Sequence, residues 1–119
     1  MPRKPTYAER FALGKWPRGN FPYGFASSNM DVAPEEMRVV RLVFEQLDAG
    51  YTTGQIADGL TVNGYTTRRG FLWTRFNLRS VVQNRLVYEG THMLDPATGK
   101  LTRCPTQRAN ALSQDAEAA

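Results

Sequence analysis

Tyr65-Thr66-Thr67-Arg68-Arg69-Gly70-Phe71-Leu72-Trp73-Thr74-Arg75-Phe76-Asn77-Leu78-Arg79-Ser80-Val81-Val82-Gln83-Asn84 reads as a basic loop running into a short helix. Thr74 stands where an N-cap belongs, just before an apolar-periodic run, and its hydroxyl can accept from a free backbone N–H of the first turn. On a helical wheel Leu78, Val81 and Val82 share one face. The opposite face carries Phe76, Arg79, Ser80 and Gln83, with Asn77 at its edge. These are residue types that reach base edges: a bidentate donor, amides, a hydroxyl, and an aromatic able to touch a thymine methyl. Arg68, Arg69, Arg75, Arg79 and Arg85 follow one another with no acid between them. A solvated surface helix usually mixes its signs. Taken alone, the arginine run fits either a nucleic-acid surface or the solvent face of a small domain.

At 119 residues the chain holds one domain with one modest core. Apolar content of 41% and charged content of 22% are those of an ordinary globular protein. The net charge of +4 favours a polyanionic partner. Cys104 and His92 are the sole cysteine and histidine, which excludes an internal disulfide framework and a zinc site and points to a reducing compartment. No apolar run approaches ~18 residues, so no membrane span is expected. The N-terminus lacks the apolar core of a signal peptide. A cytoplasmic location is the expectation.

Thr6 and Glu9 have capping-box spacing, and a short helix from about Tyr7 to Leu13 closes at Gly14. Residues 1–13 are expected to be the end of a longer helix or a frayed terminus. Three glycines and two prolines exclude helix over residues 14–24. Trp16, Phe21, Tyr23 and Phe25 there are expected to pack on the core rather than stack on bases. Lys15 and Arg18 join Arg68, Arg69, Arg75 and Arg85 as candidate phosphate contacts.

Pro34, Glu35 and Glu36 open the longest helix, proline suiting the first position and the acids the positive end of the dipole. Met37, Val40, Val43, Phe44 and Leu47 form its apolar stripe, with Arg38, Arg41, Glu45 and Gln46 off it and Leu42 on the far side. Gly50 ends it. Thr52 with Gln55 is a second capping-box spacing, Ile56, Ala57 and Leu60 point inward, and Asn63-Gly64 stops this helix. A long helix, a tight turn, a short helix, a linker and a further helix are the order of a helix-turn-helix, with the last helix as reader. The linker, Gly64 to Trp73, suggests a small two-stranded excursion around Arg68-Arg69-Gly70. Leu86-Val87-Tyr88 reads as a strand, and residues 93–101 as a turn between two short strands, a possible wing. From about Gln107 the composition predicts disorder. The expected fold class is therefore α+β, mainly helical: a three-helix, helix-turn-helix-like bundle with small β-hairpin or wing elements.

Residues 14–90 resemble the recombinase domain of the large serine recombinases, the phage integrases and related transposases. The likeness is carried in order by Gly19-Asn20-Phe21-Pro22-Tyr23-Gly24-Phe25, Pro34-Glu35-Glu36, Val40-Arg41-Leu42-Val43-Phe44 and Gly50-Tyr51-Thr52. It continues through Ile56-Ala57, Leu60, Asn63-Gly64-Tyr65-Thr66-Thr67-Arg68-Arg69-Gly70, Trp73-Thr74, Leu78, Val81-Val82, Asn84, Tyr88 and Gly90. Two positions depart from the family: Arg85 stands where a proline is usual, with one residue more before Tyr88, and Ala33 stands where an aspartate cap is common. The resemblance implies a DNA-binding domain that follows a catalytic domain and binds part of a double-stranded attachment half-site. Residues 1–13 would then end the linker helix from the catalytic domain, 14–106 form the DNA-binding domain and 107–119 a disordered tail.

No catalytic site, metal or cofactor is expected in the chain. The family's nucleophilic serine and arginines belong to its catalytic domain, and its zinc ribbon needs paired cysteines where Cys104 is single. Ser27, Ser28, Ser80 and Ser113 have no base pattern beside them. The partners implied are attachment-site DNA and, if the chain is a fragment, the catalytic domain of the same protein; the isolated chain is expected to be a monomer. Two other readings stand beside the recombination module: a stand-alone winged-helix regulator, and a protein-interaction domain whose arginines are solvent face only. An upstream catalytic domain in the same reading frame separates the first two, and salt-dependent DNA binding separates both from the third.

Overall fold

The structure, a computed structural model, describes residues 4–113. Among them are five helices and one two-stranded sheet: α1 (Tyr7–Ala12), α2 (Pro34–Asp48), α3 (Thr53–Val62), α4 (Arg75–Gln83), α5 (Arg85–Glu89), β1 (His92–Leu94) and β2 (Leu101–Arg103). This is the mainly helical α+β fold expected. No helix among the described residues is long and apolar enough to cross a membrane.

The helix starts follow the local chemistry. Pro34 takes the first position of α2, with Glu35 and Glu36 in its first turn. Thr52 and Gln55 cap α3 reciprocally, side chain to backbone in both directions. α3 lies against α2 on one side and α4 on the other. The apolar stripes meet in one core, where Met37, Val40, Val43, Leu78, Val87, Tyr88 and Met93 are fully buried. Leu42 is half-buried and packs on this core rather than facing solvent.

The aromatic segment before α2 is part of that core. Phe25 stacks on Tyr88 at 5.5 Å between ring centroids, and Tyr23 meets Trp73 edge-on at 5.0 Å. The Tyr88 hydroxyl donates to the Tyr23 carbonyl at 2.6 Å. Gly24 lies in this contact with φ +107°, and a Cβ there would press on Met37, Val40 and Tyr88, so only glycine suits the position.

Two expectations are corrected, and a third is met. Residues 86–88 belong to helix α5, not to a strand. The apolar triplet Leu86-Val87-Tyr88 is too short for periodicity to separate strand from helix. The linker excursion is a single antiparallel bridge, Thr66 to Leu72. The hairpin over residues 93–101 is present, with Met93 opposite Thr102 and Leu94 opposite Leu101.

Nor are residues 107–113 a disordered tail. Ala111 is buried, its N–H donates to the Tyr88 carbonyl at 2.8 Å, and its own carbonyl accepts from the buried Arg41 guanidinium at 2.9 and 3.1 Å. Gly90, the left-handed cap of α5, leaves no room for a Cβ beside the Arg108 carbonyl. Polar composition hid this segment because its bonds are mostly main-chain. Residues 114–119 of the expected tail lie outside the described residues. At the other end α1 is docked, not frayed: Thr106 Oγ1 donates to the Ala12 carbonyl at 2.6 Å, and Cys104 Sγ donates to that of Phe11 at 3.4 Å. Cys104 is thus a buried packing residue.

Candidate nucleic-acid interface

Helix α4 is held at its start by a capping box. The Thr74 hydroxyl accepts from the Asn77 N–H at 3.3 Å, and Asn77 Oδ1 accepts from the Thr74 N–H at 2.7 Å. Asn77 Nδ2 also donates to the Leu72 carbonyl at 3.0 Å. Both ends of this amide are therefore engaged in holding the start of α4, with one of its two N–H donors not used locally. Threonine followed by asparagine three residues on is a capping-box pattern with a shorter arm than the usual glutamate or glutamine, so the signal was in the sequence.

The wheel is realised. Leu78 and Val81 are buried and Val82 is half-buried. Phe76, Arg79, Ser80 and Gln83 are exposed on the far side, Phe76 at 68%. The ring of Phe76 lies under the Arg75 guanidinium at 4.9 Å, not against the core. The Ser80 hydroxyl donates to the Asn77 carbonyl at 3.0 Å, leaving its oxygen free to accept. Arg79 and Arg69 have no hydrogen bond or ion pair among the described residues, so both guanidiniums are available to a ligand.

The six candidate phosphate contacts separate. Arg69 and Arg75 flank the start of α4 and are exposed. Arg85 is not on that face in a usable state: it is bidentate to Asp48 at 2.8 and 2.9 Å, with Glu89 at 3.5 Å, and stacks on Phe44. It staples α5 to the end of α2, and its hydrogen bond and charge hold the Asp48 carboxyl below the ordinary range. Lys15 and Arg18 sit on the segment that the Lys15 and Trp16 N–H groups tie to Arg10 and Ser28. Arg68 turns inward. Its Nη2 donates to Glu36 Oε1 at 2.7 Å and to the Phe25 carbonyl at 2.9 Å, and Nε donates to Glu36 Oε2 at 3.1 Å. An arginine with its donors so engaged is a poor phosphate ligand, and sequence spacing could not show the acid lying 32 residues away.

Glu36 feels two opposed effects. Burial raises its pKa, but the hydrogen bonds from Arg68 and the Gly24 N–H, with the Arg68 charge, outweigh it and hold the carboxyl below the usual range. Burial and the nearby Glu36 charge push the Tyr23 phenol up to about 12. A shallow groove of about 170 Å³ runs beside α4, lined by Thr67, Arg69, Trp73, Ser80 and Val81 among others. No group of three or more metal-ligating side chains occurs among the described residues.

No curated protein and no solved structure matches the chain significantly. A family model described as Recombinase matches residues 34–117, from the first turn of α2 past the docked C-terminal segment. The match covers well over half of the chain and takes in α4 with its arginines; the chain belongs to the Recombinase family, and its role lies in site-specific recombination.

Proposed function

We propose that the chain is the DNA-binding module of a site-specific serine recombinase, an integrase or a transposase, and recognises part of an attachment half-site. One observation carries this: α4 presents Phe76, Arg79, Ser80 and Gln83 outward from a capped, core-anchored helix, with exposed Arg69 and Arg75 at its start and no acid in the stretch. In this reading α4 is the third helix of a helix-turn-helix and enters the major groove. Arg79 donates to a guanine edge, Gln83 and Ser80 hydrogen-bond to base edges, and Phe76 packs on a thymine methyl. Arg69 and Arg75 contact phosphate and carry register rather than sequence.

The chain itself is read as non-catalytic, the strand-cleaving serine being supplied by another domain of the full-length protein. Several modules on one site would then supply the affinity that a single one lacks. The testing experiment is binding to half-site libraries made from the ends of the host element, at two salt concentrations. Salt-dependent binding with a sequence preference that Arg79→Ala relaxes supports the module; binding that neither salt nor α4 substitutions alter sinks it. The β1–β2 hairpin after α5 favours a second reading, a stand-alone winged-helix regulator. A catalytic domain encoded in the same reading frame rules that one out.

A further inference from the structure

Arg68 and Arg69 are adjacent in sequence and opposite in surroundings. The guanidinium of Arg68 sits 4.7 Å from the centroid of the Phe21 ring. Beyond Glu36 and Phe25, it donates to the carbonyls of Phe21 at 3.2 Å and Pro22 at 3.0 Å. Glu36 Oε1 accepts in addition from the Gly24 N–H at 2.8 Å. One side chain therefore ties together the aromatic segment before α2, the first turn of α2 and the loop before α4. Arg69 occupies the tip of that loop. The tip is closed by Thr67 N–H to the Phe71 carbonyl at 2.8 Å, Gly70 N–H to the Thr67 carbonyl at 2.9 Å and Phe71 N–H to Thr67 Oγ1 at 3.1 Å. A loop ordered before binding does not have to be ordered by binding.

We propose that Arg68 is a positioning residue for DNA binding: clamped between Glu36 and the carbonyls of Phe21, Pro22 and Phe25, it holds the loop so that Arg69 meets a phosphate beside α4. This rests on the DNA-binding reading above. It makes a prediction against simple electrostatics. Glu36→Gln removes a negative charge, which by itself favours binding to DNA. It keeps the acceptor for the Gly24 N–H but loosens the clamp, so it weakens binding.

The test measures binding to a mixed-sequence DNA duplex over a salt series, with thermal melting of every variant. The chains compared are the full chain, Arg69→Ala, Glu36→Gln and the double variant. Arg69→Ala lowers the salt slope by about one. Glu36→Gln weakens binding by about three- to ten-fold, the scale of one charge-assisted contact, and has little further effect once Arg69 is alanine. Phe21→Leu, which keeps the carbonyl and the apolar volume but removes the ring under the guanidinium, shows the same dependence on Arg69 and serves where Glu36→Gln fails to fold. Tighter binding and a steeper salt slope for Glu36→Gln overturn the proposal, because they mean that released Arg68 is itself a phosphate ligand. Equal weakening with and without Arg69 overturns it also, since the clamp then serves only the fold. A full chain with no salt-dependent binding fails the DNA-binding reading, and this proposal with it.

Discussion

Arg79 and Phe76 stand on the same exposed face of α4 but do different physical work. Arg79 is a planar donor with no partner among the described residues, and a guanidinium of this kind can meet a guanine edge in bidentate fashion. Arg79→Ala is expected to cost ~1–3 kcal/mol on the preferred site and to relax preference at one guanine, read from a base-substitution binding series. Phe76 buries little of its ring in the free protein. Phe76→Ala should leave the melting temperature nearly unchanged while relaxing preference at one A·T position; a fall of many degrees with base preference intact would return Phe76 to a packing role. Glu36 gives a prediction in acid. Its folded pKa lies below the ordinary glutamate value of about 4.3, so its contribution is fully present above that pH and is lost as the pH falls through the folded value. The groups facing it, Arg68, Tyr23 and Tyr88, keep their protons throughout this window, the tyrosines being shifted upward mainly by burial. Glu36→Gln should therefore flatten part of the acid limb of stability below pH about 4.3, measured by chemical denaturation across pH. Asp48 titrates in the same direction and remains, so the limb should not vanish.

At the scale of the element, α4 is a short helix that owes its presence to its ends and its neighbours. Nine residues are too few to be helical in isolation. The capping box at Thr74 and Asn77 fixes the first turn, and Leu78 and Val81 fasten it to the core. Thr74→Ala should destabilise the domain by ~1 kcal/mol. If α4 is the reader, the same variant weakens binding to every sequence, because the frame moves and no base contact is lost selectively. Trp73, just before the cap, is 5% exposed and packs edge-on to Tyr23. It stands at the junction of the basic loop and α4, while Phe44 packs against Tyr88. Replacing such an aromatic by alanine typically costs ~3–5 kcal/mol, a large share of a small domain's stability. Trp73→Ala should unfold the chain near physiological temperature, and an unchanged melting curve would refute the placement.

The whole molecule is closed by its C-terminal segment. Residues 104–113 cover α1, the Gly90 cap and the middle of α2, with Arg41 holding the Ala111 carbonyl and Arg108 donating to the His92 carbonyl at 2.7 Å. Burial lowers the Arg108 pKa from its ordinary value, which marks a charge held inside this cover. Ending the chain before Gln107 should therefore lower the melting temperature by several degrees or more, a loss of a few kcal/mol in a domain of this size, where a disordered tail predicts no change. The family match extends through this segment as well, to residue 117.

Local chemistry read from the chain determined α2, α3 and α4: proline and acids at the start of α2, threonine caps before α3 and α4, and apolar stripes that proved to be the buried faces. It also determined the outward face of α4, because a helical wheel needs only the period and the identity of the buried side. Tertiary structure alone decided which arginines are available. Among the described residues Arg69 and Arg79 remain unpaired, while Arg68, Arg85 and Arg41 are committed to Glu36, Asp48 and Ala111, partners 32, 37 and 70 residues distant. A charge in sequence is an inventory, and its availability depends on what the fold places opposite it. The docking of residues 107–113 was hidden for a related reason: main-chain hydrogen bonds to Tyr88 and Gly90 leave no mark in side-chain composition.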